Sequence, residues 1–430
     1  MSSILFRQIR IIDPQSPFHE QEVDMWVKEG IVDQIAPSGT LEGKDGSQVI
    51  HVEGLHLSPG WIDTGVVLAD PGLEYKESLE SLAMAAASGG FTQVMCFPNT
   101  HPPLDNHQVI RGIQQRSANG AADLLFIGTI TEGAAGKQLA EMYDMHRAGV
   151  VAYSDGPYAE SLSTGLVIRA LRYLQAFDGL LMLHPLDGQL GHSGLMNEGV
   201  QSTRLGLPGQ PQAAETAIVA RDVELLNYQQ GRVLFHGLST SRSLELLASL
   251  RETNDQVFTA VPGYLLCMND SELESFDANF KLFPPLRQEE TRLEMLEDLK
   301  EGKIDLLYSA HHAQSLEEKN LDFVTAEPGM IGLQTFFPML YAHLVKQGVL
   351  SLTELIVRLS HVPRDIFRLP PVIIDQGQEA HFTLFEPDTS WTFNQKKLFS
   401  RASNSPFLGR EFPAKVSGTL KNGLLMMQQD

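Results

Sequence analysis

Eight short β-rich segments, each followed by a helical pattern, run through the middle of this 430-residue chain and leave few folds open to it. They lie at 60–64, 92–97, 124–129, 150–154, 180–184, 233–238, 257–261 and 305–309. Parallel strands need helical crossovers, and eight such units are what a (β/α)8 TIM-type barrel of class α/β requires. The connecting stretches carry their own stop signals. Residues 77–88 (ESLESLAMAAAS) are rich in Ala and Leu and run into Gly89-Gly90, where glycine ends a helix. Residues 291–302 (TRLEMLEDLKEG) are expected to set Leu293, Leu296 and Leu299 on one helix face before Gly302.

The two chain ends have a different texture. Residues 3–57 alternate apolar and polar positions around turn signals such as Asp13-Pro14 and Glu29-Gly30, and residues 380–427 do the same. Both read as antiparallel, and neither is long enough to bury a sheet face alone. The expected organisation is therefore a small composite β-sandwich from residues 1–57 plus 365–430, beside a barrel at 58–364.

Fifty-three acidic side chains against 32 basic ones give a formal charge of −21. That field repels nucleic acid and anionic membrane surfaces, so neither is expected as a partner. Cys96 and Cys267 each sit inside an apolar run and read as core thiols of a reducing compartment. The segment Met1-Ser2-Ser3-Ile4-Leu5-Phe6-Arg7 has no basic stretch leading into a long apolar one, and no run reaches membrane-spanning length, so a cytoplasmic location is expected. Gly191-His192-Ser193-Gly194 reads as a glycine turn, since no sharp strand-to-helix setting surrounds it.

Catalytic groups of such a barrel belong at the C-terminal strand ends. Strand one leads into Pro59-Gly60-Trp61-Ile62-Asp63-Thr64-Gly65-Val66-Val67-Leu68-Ala69-Asp70-Pro71-Gly72, and strand two into Phe97-Pro98-Asn99-Thr100. Strand four ends in Ser154-Asp155-Gly156, strand five in His184-Pro185-Leu186-Asp187, and strand six in Leu234-Phe235-His236-Gly237-Leu238-Ser239-Thr240. Val261-Pro262-Gly263-Tyr264-Leu265 and Phe283-Pro284-Pro285-Leu286-Arg287 follow around strand seven, and Ser309-Ala310-His311-His312-Ala313-Gln314 ends strand eight. As a set these resemble the dihydroorotase family of the amidohydrolase superfamily, in its multifunctional-complex type. The family forms are PGxIDxHxHxREPG, MPNT, FSDDG, HxED, HiaHvST, PHHL, NPPLR and TDHAPH. Met196-Asn197-Glu198-Gly199, Gly206-Leu207-Pro208-Gly209 and Gly332-Leu333-Gln334-Thr335 extend the resemblance over most of the chain.

The resemblance also says what is missing. It implies a metal-gripping His pair where Gly65 and Val67 stand, a carboxylate-binding Arg at Ala69, a substrate-contacting Asn at Phe283, and a metal-binding proton acceptor at Ala310. Neither hydrogen nor isopropyl offers zinc a lone pair. Without both a Lewis acid and a base, metal-activated water is lost. Asn99 keeps the substrate-contacting position, and Asp155, His184 and His236 keep positions of metal ligands, with Leu234 replacing a further His. Those three read either as relics held by neighbouring hydrogen bonds or as the ligands of one zinc. His311 and His312 read as solvated or capping loop residues. The resemblance implies a catalytically inactive homologue in pyrimidine biosynthesis, forming a homodimer and acting as a structural or regulatory partner of aspartate transcarbamoylase. No cofactor is expected on that reading. The alternatives are an active cyclic-amide hydrolase with a single metal at Asp155, His184 and His236, and a module binding a small anion in the vacated pocket.

Overall fold

The computed structural model describes residues 3–43, 46–191 and 194–428. His192 and Ser193 of the glycine turn, and the first two residues of the N-terminal segment, lie outside the described residues. Eight parallel strands follow one another in chain order: Trp61–Val67, Phe91–Phe97, Asp123–Gly128, Ala152–Tyr153, Leu181–Leu183, Val233–His236, Val257–Pro262 and Leu306–Tyr308. Each pairs with its predecessor. Strands one and eight meet through Val67 N–H donating to His311 O at 2.9 Å. Ser309 N–H adds a bond to Asp63 Oδ2 at 2.7 Å, so the barrel is nearly closed. Alternate strand residues point inward and pack together, among them Ile62, Met95, Ile127, Met182, Leu234 and Leu306.

Helix Leu79–Ser88 starts at Ser78, whose hydroxyl accepts from Ser81 N–H, and stops at Gly89. Helix Glu289–Lys300 corrects one expectation. Met295, Leu296 and Leu299 are buried, whereas Leu293 is half exposed. Two successive steps of three residues drift by about 120° around a helix of 3.6 residues per turn, so Leu293 and Leu299 cannot share a narrow face.

The chain ends pair into one eight-stranded sheet in the order Leu424–Met427, Glu411–Lys421, Phe382–Thr392, His56–Pro59, Ser3–Ile11, Glu22–Lys28, Ile31–Pro37. Gln48–Ile50 adds to Ser3–Ile11. The expectation of purely antiparallel ends is corrected. Ser3–Ile11 pairs in parallel with Gln48–Ile50 and His56–Pro59, because the chain returns to its far edge running in the same direction. Phe6, Met25, Leu57, Phe382 and Leu420 share a core that this sheet encloses. Trp61 joins sheet to barrel. Its indole N–H donates to Ser58 Oγ at 2.9 Å, and its ring packs on Phe337 and Phe385. The boundary drawn after residue 364 falls inside helix Leu352–Phe367. Cys96 and Cys267 are buried free thiols. Among the described residues no helix is long and apolar enough to cross a membrane.

Candidate active site at the barrel mouth

The period of two along each strand decides what reaches the mouth. His184 lies two residues past Met182, His236 two past Leu234, and Tyr308 two past Leu306, so all three continue the inward rows. There they meet. His184 Nε2 and His236 Nδ1 are 3.2 Å apart, and Ser154 Oγ is 3.3 Å from His184 Nδ1. Ser154 Oγ also accepts from Gly156 N–H at 3.1 Å, which leaves its proton free for His184 Nδ1. His184 then carries its own proton on Nε2 and donates it to His236. His236 Nε2 makes no hydrogen bond of normal geometry. Burial pushes His184 down to about 3, and burial together with His184 holds His236 well below the ordinary imidazole range. Phe97 meets both rings edge-on, at centroid distances of 5.1 and 5.2 Å. Both imidazoles are therefore neutral and enclosed by aromatic carbon.

Asp155 does not join them. Its Oδ1 accepts from Ile130 N–H at 2.8 Å and Thr131 N–H at 2.9 Å, and its Oδ2 accepts from Thr131 Oγ1 at 2.6 Å. Burial raises its pKa, and those bonds oppose the rise. The carboxylate staples the loop after strand three. Asp187, the other acid near strand five, accepts from Gln189 and Leu190 N–H and caps a short turn.

Gly65 stands against the rings. A Cβ there would lie 2.5 Å from Tyr308 Cδ2 and 2.7 Å from His236 Cε1. Val67 and Ala69 line a cavity of about 320 Å³ with Lys76, Asn99, Tyr158 and His312. Asn99 Nδ2 donates to Asp155 O at 3.1 Å, while its buried Oδ1 has no partner. Ala310 holds a left-handed backbone, φ +52°, a conformation that Asp and Asn tolerate better than Ala. Phe283 lies beside the ring of Tyr158, with centroids 5.2 Å apart.

His311 is not solvated, which corrects that half of the reading of it as a solvated or capping residue, and His312 is half-buried on the wall of the same cavity. His311 is 1% exposed and sits 3.4 Å from Glu77 Oε2. His312 belongs to a relay whose directions are fixed from one end. Lys76 Nζ donates to Gln314 Oε1 at 2.8 Å, so Gln314 Nε2 faces His312 Nε2 at 3.2 Å and donates to it. His312 Nδ1–H then donates to Tyr158 Oη at 2.8 Å. Burial, with Lys76 and His311 adding to it, pushes His312 down to about 3.

A catalytic zinc site needs three protein donors converging at roughly 2.0–2.2 Å. Here two imidazole nitrogens face each other and the third donor is saturated by the Ile130–Thr131 loop. Among the described residues no group of three or more His, Cys, Asp or Glu side chains is arranged to hold a metal ion. Asp155 thus stands apart from the His184–His236 pair, and the three do not converge as a set of three zinc donors. Tyr308, Tyr158, Lys76 and Gln314 were missed from sequence. Only Tyr308 had a signal, since it sits in register between Leu306 and Ala310.

A nearly closed parallel barrel carrying a sheet built from both chain ends, with histidines at the ends of strands five and six, defines an amidohydrolase-type scaffold. A family model described as dihydro-orotase-like matches residues 54–236. The dihydroorotase of Carboxydothermus hydrogenoformans is 34% identical over 411 residues, covering 95% of this chain and 94% of that protein. The dihydroorotase of Pelobacter propionicus is 33% identical over 428 residues, covering 99% of this chain and all of that one. The chain belongs to the dihydroorotase-like family. Its fold is also that of the L-hydantoinase (dihydropyrimidinase) from Arthrobacter aurescens, with a TM-score of 0.85 at 21% identity over 100% of this chain and 96% of that one. The dihydropyrimidinase from Brevibacillus agri gives 0.81 at 18%, over 99% and 95%.

Proposed function

We propose that this chain is a dihydroorotase-like protein of pyrimidine biosynthesis that has lost hydrolysis and kept the scaffold for association. One observation carries the reading. The groups left at metal-ligand positions spend their donor capacity on one another and on backbone, with Asp155 held by Ile130 and Thr131 and His184 bonded to His236. No carboxylate stands at position 310 to accept a proton from water, and no guanidinium at position 69 to bind a carboxylate. A scaffold without its chemistry is retained through its surface, and the partner we propose is aspartate transcarbamoylase, contacted by a homodimer of this chain. With a formal charge of −21, the partner face is neutral or basic, and association weakens as salt rises. The test is light scattering and co-purification with the same organism's transcarbamoylase, beside a dihydroorotate hydrolysis assay. A monomer indifferent to the transcarbamoylase defeats the association. Steady-state hydrolysis at an ordinary enzyme's rate defeats the inactivity.

A second reading has its own observation. The cavity of about 320 Å³ beside Ala69 retains Lys76, Asn99 and Tyr158 on its wall, which suits retention of a small polar ligand without turnover. Lys76 is already paired with Glu318 at 2.7 Å, so its charge is partly spent.

A further inference from the structure

The barrel mouth has gained something as well as lost ligands. Tyr308 ends the eighth strand, is 4% exposed, and lies with its ring centroid 3.9 Å from that of His236. His236 is 1% exposed and is flanked in turn by Phe97 and His184. The two rings fill the space over Gly65, where a first side-chain carbon would already stand 2.5 Å from Tyr308 Cδ2. Carbon atoms pack best about 3.5–4.0 Å apart, so even a methyl group is about an ångström too close. A histidine must project further in the same direction.

We propose that Tyr308 is a second, independent lock on this centre. Its ring takes the volume that a ligating side chain at position 65 would occupy, so restoring the missing ligands alone does not rebuild a metal site. The inference rests on the reading above that the chain is not a metal hydrolase, and it adds which residue enforces that state. Tyr308 packs on the inner cluster of the barrel, and both rings border only a small pocket with His184, Phe283 and Arg287. Forcing them apart shifts backbone and rotamers. Metal donors tolerate misplacement of only about 0.2 Å. Shortening Tyr308 removes the nearer of the two contacts, from the strand beside Gly65, and leaves the His184–His236 pair in place.

The experiment compares three full-length proteins: the unaltered chain, G65H/V67H/A310D, and the same triple variant carrying Y308A. Each is dialysed against zinc, then against metal-free buffer, and zinc per chain is measured by elemental analysis, with circular dichroism reporting the fold. The expected result is on the order of one zinc per chain with Y308A and little in the triple variant. Equal zinc in both overturns the proposal, and so does a folded Y308A protein that holds none. Stoichiometric zinc in the unaltered chain would instead contradict the proposed function. Should the triple variant not fold, G65H is compared with G65H/Y308A by melting temperature and soluble yield. Recovery on shortening Tyr308 is expected, and its absence overturns the proposal.

Discussion

Gly65→Ala is the smallest change that probes the packing at the mouth. It adds one methyl group 2.5 Å from Tyr308 Cδ2 and 2.7 Å from His236 Cε1, against rings that are 4% and 1% exposed. Overpacking of this kind costs about 1–3 kcal/mol. Gly65 does not have a positive φ, so alanine can adopt its backbone, and the smaller unfolded ensemble returns about 0.4–1 kcal/mol. The net expectation is a loss of about 1–2 kcal/mol. In a chain of this size that lowers the melting temperature by a few degrees. Scanning calorimetry reads it, with Gly112→Ala as the control. Gly112 lies within helix His107–Ser117 and has nothing within 4 Å of its added Cβ, so alanine there should stabilise by about 0.5–1 kcal/mol. Tyr308→Leu completes a double-mutant cycle. If the ring is the obstruction, the cost of Gly65→Ala shrinks in the Leu background, with a coupling of about 1–2 kcal/mol. An unchanged melting temperature for Gly65→Ala, or strictly additive shifts, would refute the reasoning.

Asp155→Ala is expected to cost about 2–3 kcal/mol, because the buried N–H groups of Ile130 and Thr131 lose their acceptor; denaturant unfolding checks this, and a neutral result would mean the carboxylate is free to do something else. His312 gives a pH signature. Its folded pKa of about 3 lies below its ordinary 6.5, so its contribution to stability is present above about pH 6.5 and is lost as pH falls toward 3. At about pH 5 the loss is at most about 2 kcal/mol relative to neutral pH. Asp222, raised to about 6 by burial, works in the opposite sense, favouring the fold at low pH and losing that effect as pH rises through about 6. The measurement is therefore the difference in pH dependence between the unaltered protein and His312→Gln, and identical profiles would sink the assignment.

The alternation of β-rich segments with helical patterns and glycine stops made the barrel readable from sequence, since each βα unit carries its own pattern. The eight strands appear in the expected order, although the fourth is only Ala152–Tyr153. What failed were properties that depend on neighbours distant in sequence. Leu293 was misplaced by counting residues without angles. His311 and His312 read as loop residues because the groups they meet, Glu77 and Tyr158, lie more than 150 residues away in the chain. Asp155 kept the residue type of a ligand, but only the fold shows its oxygens turned to Ile130 and Thr131. The losses at Gly65, Val67, Ala69, Phe283 and Ala310 were visible as residue types. The filling of the vacated space by Tyr308 was not, because an aromatic residue at a strand end is ordinary core composition until its opposite number is known.

The central claim is that hydrolysis has left this barrel mouth, and zinc content of the purified, unaltered protein measured alongside dihydroorotate turnover tests it most directly. The account predicts well under one zinc per chain after dialysis and no turnover above background, with or without added zinc. Two zinc ions retained per chain, with turnover that Asp155→Ala abolishes while the protein stays folded, would contradict it.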